Sequence, residues 1–287
     1  MMSSEVLATC IIPTCGKSKV FSSLLEELER QRQNCPKLYE VIVVGDNVTP
    51  PVTLTSAKCV IAKGVGGVSA TRNYGAKLAT TTWLIFLDDD VIPNASWSNV
   101  LEQFLKTTNC DLAGGRLDIY PQEYQDLLPK KYRYLLGEKS GLNYYLGQFD
   151  YIAGAQLLIK KSVYEELGGF CETRGHKDGK LSLNEDVMLQ AEYRKKYDKQ
   201  ILYLDELRCN HYVRREQTHS DYIISRLQAQ GKADLALDRE LFPSRSLFKY
   251  IYYKLFCLIR YQSEQNLSIE VCDWHRRKSY LNQDLRR

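Results

Sequence analysis

An apolar run that ends in three consecutive carboxylates is the feature that most restricts the fold of this chain. Residues 84–87 read LIFL, and they are followed by Asp88-Asp89-Asp90 and then by Val91-Ile92-Pro93. Such a run predicts a buried strand, which would deliver the acids to the carboxyl edge of an α/β sheet, where these sheets bind ligands. Three adjacent negative charges repel one another and so imply a cation, for which oxygen ligands favour magnesium or manganese. A solvated acidic turn that caps a helix is the alternative interpretation.

Apolar runs alternate with segments of helical periodicity through the first 110 residues. Strands are predicted at 6–12, 41–44, 59–62 and 82–87, and helices at 21–32, 64–75 and 97–105. Pro13 is expected to break the first strand, because proline has no amide hydrogen to donate. The order β-α-β-β-α-β-α predicts an α/β fold with a twisted, mostly parallel sheet and helices on both faces.

The second half of the chain has weaker patterning. Strands are predicted at 112–120, 151–159 and 201–204, and a helix from 183 to about 196. The aromatic, glycine-containing segment 120–149 is interpreted as a long, partly ordered loop, and the polar segment 171–182 as a flexible lid. The chain from Arg214 onward reads as a helical extension, with a polar, basic tail from 273 that we expect to be solvated.

Composition excludes several classes of protein. A length of 287 residues, 44% of them hydrophobic, suits one large α/β domain with an appendage, and a net charge of +4 without long basic runs does not indicate nucleic-acid binding. The nine cysteines lack CxxC spacing, and several lie in apolar runs (Cys10, Cys59 and Cys257), so we expect buried thiols in a reducing compartment. No apolar stretch reaches about eighteen residues, so we expect a cytoplasmic protein that does not span a membrane.

Two further features of the second half, together with Arg72, are candidates for chemistry. Glu185-Asp186 begins a predicted helix, and these acids either cap it or, facing the acidic triplet, supply a catalytic base. His211 follows the last predicted strand and could complete a metal shell through a ring nitrogen. Arg72 could offer a planar cation to a phosphate or base, and a surface helix residue is the alternative.

Seven motifs occur together in a recognisable order. They are CIIPT at 10–14, EVIVVGDN at 40–47, GVSATRNYG at 67–75, FLDDDVIP at 86–93, Gly154-Ala155 with GGF at 168–170, Asn184-Glu185-Asp186, and His211 ahead of a helical stretch that ends near Gly231. Residues 6–231 thereby resemble the family 2 glycosyltransferases with the GT-A fold. This resemblance implies a GT-A catalytic domain over 1–212, with a nucleotide-sugar half at 1–110 and an acceptor half at 111–212. A C-terminal helical extension would follow at 213–287.

The resemblance also implies how the donor is bound. Asp88 and Asp90 match the DxD motif, with Asp88 near the ribose and metal, Asp90 the direct ligand of Mn²⁺ or Mg²⁺, and Asp89 between them in the donor site. His211 resembles a further metal or diphosphate contact. Pro13 and Thr14 after the first strand and Asp46 after the second would line the base of the nucleotide-sugar, uracil or another. Arg72 would hold the nucleotide end. Gly45 departs from the family, which often has an acid there.

The implied reaction moves a sugar from a nucleoside diphosphate, expected to be a UDP-sugar, to an acceptor hydroxyl with inversion of configuration. Asp186 matches the general base, with Glu185 beside it. The acceptor would be a glycan or a lipid-linked sugar in polysaccharide or glycolipid biosynthesis. The aromatic, basic segment 246–262 has the composition of a helix at a membrane surface, which would place the protein peripherally at the inner face of the cell membrane. A packed or dimerising helix, and hence a homodimer, is the alternative.

Two other functions remain open at this level. Haloacid-dehalogenase-like phosphatases also have an apolar strand that ends in Asp-x-Asp, but there the strand is typically the first of the core, whereas here it is about the fourth. A nucleotide-sugar-binding or scaffold module without activity is the second alternative. The presence of the acidic triplet together with Asp186 and His211 argues against it.

Overall fold

The computed structural model describes residues 6–50, 57–62, 66–142, 144–147, 150–174, 183–241, 249, 252–253 and 269–281. The strands are β1 (Ala8–Thr14), β2 (Tyr39–Asp46), β3 (Lys58–Ala62), β4 (Trp83–Leu87), β5 (Val91–Pro93), β6 (Leu112–Tyr120), β7 (Gln156–Lys160) and β8 (Leu202–Tyr212). The α-helices within the described residues are α1 (Phe21–Asn34), α2 (Val68–Leu78), α3 (Trp97–Thr107), α4 (Lys161–Glu166), α5 (Glu185–Tyr197), α6 (Ser220–Leu241) and α7 (Ile269–Leu281). Short 3₁₀ turns lie at Gln122–Leu127, Lys130–Leu136 and Arg215–Thr218.

A single sheet joins these strands in the order β3-β2-β1-β4-β7-β6-β8-β5. The first four are parallel, as are β6 and β8, whereas β7 and β5 run antiparallel to their neighbours. Side chains along β1 alternate between two cores, with Cys10 and Ile12 packed on the face of α1 and α3, and Ile11 on the face of α2, α4 and α5. The predicted α/β sheet with helices on both faces is confirmed.

Three predicted strand ends are wrong, among them that of the strand predicted at 201–204, which continues as β8 to Tyr212. The first strand continues through Pro13 to Thr14, because pairing with β4 stops at Ile11 and Pro13 has a strand neighbour only in β2. The strand predicted at 151–159 begins five residues later than expected and is β7, Gln156–Lys160. The backbone before it serves other partners, since the amides of Ile152 and Gly154 bind side chains of α5 instead of a strand.

Two segments that were expected to be a loop and a solvated tail both contribute buried residues to the fold. In segment 120–149 the second 3₁₀ turn buries Tyr132, Leu135 and Leu136 in a small core that also takes Cys272 from α7. The first part of the basic tail belongs to α7, which packs against α6. Its charge-rich composition did not indicate the buried side of this amphipathic helix. The expectation of a solvated tail is therefore wrong for 273–281.

Other expectations fall partly outside the described residues. These are the lid, of which 175–182 are not described, and the aromatic segment 246–262, of which only Lys249, Tyr252 and Tyr253 are described. Among the described cysteines Cys10 is buried as expected, but Cys59 is exposed because β3 is an edge strand. None of the helices in the described ranges is long and apolar enough to cross a bilayer.

Candidate active site

A cleft of about 690 Å³ opens at the carboxyl ends of β1, β2 and β4. All ten residues singled out from the sequence line it: Pro13, Thr14, Asp46, Arg72, Asp88, Asp89, Asp90, Glu185, Asp186 and His211. For the residues at the ends of β1, β2 and β4 this placement follows from the parallel strands, whose carboxyl ends meet at one edge of the sheet. Residues from the C-terminal helices complete the wall of the cleft, among them Tyr222 and Arg226 of α6.

The three carboxylates after β4 turn toward three different partners. Asp88 accepts a hydrogen bond from Arg72 at 2.5 Å, and Asp89 accepts one from the Thr14 hydroxyl at 2.5 Å. Asp90 faces His211. Burial raises the pKa of Asp89 to about 7; the Thr14 hydrogen bond opposes this rise, and the charge of Asp90 adds to it. Burial also raises the pKa of Asp90, against the influence of His211.

His211 is held in one tautomer by the backbone. Its Nδ1 lies 2.9 Å from the carbonyl oxygen of Leu136, and because a carbonyl only accepts, Nδ1 must donate. The other ring nitrogen, Nε2, lies 3.6 Å from Asp90 Oδ1, which is too long for a hydrogen bond. The sequence placed His211 after the last strand, whereas it lies within β8 and pairs with Val91 of β5. This short antiparallel pair, which was not predicted, sets the histidine beside the acidic triplet.

Those contacts fit a divalent cation. A metal-binding histidine commonly donates its second ring N–H to a carbonyl, as His211 does, and the carboxylate of Asp90 is the kind of ligand that Mn²⁺ and Mg²⁺ prefer. No group of three or more His, Cys, Asp or Glu side chains in the described ranges is arranged to hold a metal by itself. Asp90 and His211 could supply two ligands to such an ion, and its remaining positions would be filled by water or by a bound ligand such as a diphosphate.

Gly137 packs against the histidine ring. Its φ is +88°, and a Cβ there would lie 2.4 Å from Nδ1 of His211. We expect Gly137→Ala to displace the ring and to weaken Mn²⁺-dependent nucleotide binding by about ten-fold or more, as for other residues that orient a metal ligand. Gly141→Ala is the matched control, because Gly141 also has positive φ (+63°) but no atom within 4 Å of the new Cβ. Equal affinities of the two variants in a calorimetric titration would contradict this account.

Arg72 is a buried link between the two acidic motifs. Its side chain is 2% exposed and its guanidinium donates to Asp88 at 2.5 Å and to Glu185 at 3.1 Å, while Phe170 packs over it at 5.1 Å. Burial disfavours the charge, but the two carboxylates outweigh it and the pKa of Arg72 is raised. Gly154 leaves room for the guanidinium, since a Cβ there would lie 3.1 Å from Nη1. The alternative of a surface residue is therefore wrong.

Asp186 is fixed by two backbone amides. Its Oδ2 accepts from Gly154 N at 2.8 Å and its Oδ1 from Val187 N at 2.8 Å, so both oxygens are oriented at the cleft edge. The neighbouring Glu185 is committed to Arg72. Burial, followed by the charge of Asp186, raises the pKa of Glu185 to about 7, and Arg72 opposes this rise. Asp186 thus has a carboxylate without a basic side chain bound to it among the described contacts.

The end of β2 has no room for a side chain at Gly45, where the resemblance led us to expect an acid. A Cβ at Gly45 would lie 2.0 Å from the carbonyl oxygen of Val48, because the following turn folds back over it. Asp46 remains half-buried in the cleft wall, and its Oδ2 accepts from Gly67 N at 3.1 Å, which fixes the start of α2.

Lys139 and Asp150 were missed by sequence reasoning. Both line the cleft, and Lys139 feels the charges of Asp186 and Asp150, which oppose the lowering of its pKa by burial. They lie in the aromatic segment interpreted as a loop, where no periodicity marks inward-facing positions. The backbone pairing of Lys139 with Leu117 is the contact that brings it to the site.

Structures of known proteins share this architecture. A crystal structure of S. aureus TarS (residues 1–349) superposes with a TM-score of 0.54 at 13% identity, covering 96% of this chain and 90% of that one. The mannosyltransferase PcManGT from Pyrobaculum calidifontis, in complex with GDP-Man and Mn²⁺, gives a TM-score of 0.54 at 14% identity over 97% of this chain and 70% of that one. At these identities the likeness establishes the fold, which is that of the GT-A transferases.

Sequence comparison defines the family. The model for glycosyl transferase family 2 matches residues 9–168, more than half of the chain, which therefore belongs to that family of nucleotide-sugar glycosyltransferases. A curated relative, the glucosyl-dolichyl phosphate glucuronosyltransferase of Haloferax volcanii, is 22% identical over 196 residues. The match covers 67% of this chain but 62% of that relative, so it spans less than two thirds of the relative's length. Family membership overturns the phosphatase alternative.

Proposed function

We propose that the chain is a metal-dependent, inverting hexosyltransferase that uses a nucleoside diphosphate sugar, with a UDP-sugar as the expected donor. The observation that carries this proposal is that a candidate proton acceptor and a candidate metal site lie in the same cleft. Asp186 is oriented by two amides, and the pair of Asp90 with His211 lines the same cleft. Direct displacement at an anomeric carbon requires both a proton acceptor and a centre that stabilises the departing anion.

Asp90 and His211 would hold Mn²⁺ or Mg²⁺, with Asp88 close by. The ion, when bound, would neutralise negative charge on the departing diphosphate. Thr14, Pro13 and Asp46 would line the nucleoside, and Asp89 would brace that side through its hydrogen bond to Thr14. Arg72 would act at this end as well, by holding Asp88 at 2.5 Å and so setting where the acid meets the nucleotide.

In the proposed reaction the protein itself removes one proton, that of the acceptor hydroxyl. Asp186 would accept the proton of the acceptor hydroxyl while that oxygen attacks the anomeric carbon from the face opposite the diphosphate, so configuration inverts. The Gly154 and Val187 amides leave the carboxylate pointing in one direction, and positioning of this kind supplies much of the rate of a displacement. Glu185 would have a structural role, because its ion pair with Arg72 connects the helix that carries Asp186 to the donor half of the site.

A panel of nucleotides tests the donor assignment. Ligand binding raises the melting temperature by mass action, so UDP, GDP, dTDP and CMP are compared with and without Mn²⁺. The proposal predicts a shift for UDP that requires the metal. A metal-dependent shift for GDP alone would keep the mechanism but change the donor, and GDP-Man in the mannosyltransferase structure makes that the main competitor. Binding without sugar transfer to any acceptor would favour the inactive module.

The acceptor is proposed to be a glycan or a lipid-linked sugar. The name of the Haloferax volcanii relative, which acts on glucosyl-dolichyl phosphate, supports a lipid-linked acceptor. The basic, aromatic segment 246–262 would bring the protein to such a substrate at the membrane surface. Sedimentation with vesicles containing an anionic lipid at low salt tests this, and failure to co-sediment would remove the membrane contact from the proposal.

A further inference from the structure

A buried polar network joins the C-terminal helices to the start of α5. Arg276 of α7 binds one carboxylate oxygen of Asp234 in α6, through Nε at 2.8 Å and Nη2 at 2.6 Å. The other oxygen of Asp234 accepts from Gln230 at 2.9 Å and lies 3.4 Å from the Asn184 amide nitrogen. Gln230 also donates to the Asn184 side-chain oxygen at 2.9 Å. Asn184 is 7% exposed and Asp234 is 8% exposed.

The residue that receives this network begins the helix of the proposed base. Asn184 is the N-cap of α5, with φ 72° and ψ 24°, a left-handed conformation that asparagine tolerates better than most residues. Its carbonyl accepts the first helical hydrogen bond, from Met188 N at 3.0 Å. Since Asp186 lies two residues farther on, a shift at Asn184 moves the carboxylate directly.

The first turns of α5 are hydrogen-bonded to two separate parts of the fold. On the sheet side Gln190, one turn into the helix, is fully buried and exchanges hydrogen bonds of 2.8 Å with the backbone of Ile152 in both directions. A second set of contacts comes from α6 and α7 through Gln230, Asp234 and Arg276. These three residues lie beyond the region that matches the family model, which ends at 168.

We propose that Gln230, Asp234 and Arg276 are positioning residues that act through Asn184 to set the carboxylate of Asp186. The inference rests on the proposed function, because it assumes that Asp186 receives the acceptor proton. The C-terminal helices then belong to the catalytic apparatus. The burial of Asp234 explains the need for Arg276, since a buried carboxylate is stable only when it is paired and hydrogen-bonded.

The chain offers a matched control one helical turn away. Asp238 is 3% exposed and also links α6 to neighbouring residues, accepting from Lys249 at 2.7 Å and from Tyr280 of α7 at 3.2 Å. No described hydrogen bond or ion pair joins it to α5. Asp234→Asn and Asp238→Asn therefore remove the same charge from the same helix, and only the first disturbs Asn184.

The experiment compares the two variants with the wild type by transfer kinetics and by nucleotide titration. Asp234→Asn is expected to lower kcat by about ten-fold or more while the Kd of the metal-bound nucleotide changes by less than about two-fold, because misplacement of a reacting group by about 1 Å is costly. Asp238→Asn is expected to retain kcat within about three-fold despite a similar fall in melting temperature. Equal losses of kcat in both variants, or a nucleotide affinity that falls with kcat in Asp234→Asn, would overturn the proposal.

A second readout does not depend on activity. Amide hydrogen exchange over 186–190 is expected to quicken in Asp234→Asn and not in Asp238→Asn, since only the former loosens the start of α5. Gln230→Met keeps the pair of Asp234 with Arg276 and the 3.4 Å contact of Asp234 with Asn184, but loses the hydrogen bond that Gln230 donates to the Asn184 side chain. It should reproduce the effect and replaces Asp234→Asn if that variant does not fold. Unchanged exchange in both variants would overturn the network even in an active enzyme. A wild type that transfers no sugar would instead overturn the proposed function.

Discussion

Asp186→Asn is expected to lower the rate of sugar transfer by a factor of about 10² to 10⁴, the usual contribution of a general base. The asparagine oxygen can still accept one of the two amide hydrogen bonds from Gly154 and Val187, so the local fold should persist. It cannot accept a proton from the acceptor. Metal-dependent nucleotide affinity should stay close to that of the wild type, because the donor-binding residues are untouched.

Glu192→Gln is the control for this change. Glu192 lies on the same helix and does not line the cleft, so it tests loss of a negative charge from α5 by itself. The two variants are compared by initial rates at saturating donor and by calorimetric nucleotide titration. If Asp186→Asn lost nucleotide binding, or if it retained transfer at the level of Glu192→Gln, Asp186 would not be the base.

Asp90→Ala is expected to weaken nucleotide binding in the presence of Mn²⁺ by at least about a hundred-fold. Loss of a direct metal ligand should cost at least as much affinity as loss of a residue that only orients such a ligand. Binding in the presence of EDTA should be weak for the wild type and the variant alike. His211→Ala should have an effect of the same kind, since its Nε2 lies 3.6 Å from Asp90 Oδ1. The stabilisation of the protein by Mn²⁺ with UDP should then disappear from the melting curve.

Asp118→Asn controls for removal of an acid from the sheet. Asp118 lies in β6 outside the cleft and pairs with Arg116 at 2.8 Å. Wild-type affinity in Asp118→Asn together with wild-type affinity in Asp90→Ala would show that Asp90 does not bind the metal. Loss in Asp90→Ala but not in His211→Ala would keep the DxD site and would remove the histidine from it.

The nucleotide half of the fold is predictable from the sequence because its signals are local. Buried strands such as Val41–Val44 read as continuous apolar runs, and parallel strands deliver their following residues to one edge. That rule accounts for the meeting of Asp46 and the acidic triplet, and Arg72 joins them from the helix α2. The convergence of Asp186 and His211 on the same cleft was implied only by the family resemblance.

What the sequence could not give are contacts between distant segments with little periodicity. The pairing of β5 with β8, which sets His211 opposite Val91, joins segments more than a hundred residues apart. The carbonyl of Leu136 that fixes the histidine tautomer belongs to a 3₁₀ turn inside a segment interpreted as a loop. Likewise α7 has a charged composition, and its buried side appears only when α6 is beside it.

The anomeric configuration of the product tests the central claim most directly. After the donor has been identified, transfer from the nucleotide α-sugar is followed by NMR, and the configuration is read from the one-bond carbon–proton coupling at the anomeric centre of the first product formed. Direct displacement with Asp186 as the base predicts a β-linked product that appears with the rate of nucleoside diphosphate release. An α-linked product would show retention, and would contradict the single displacement for which Asp186, Asp90 and His211 are proposed to be arranged.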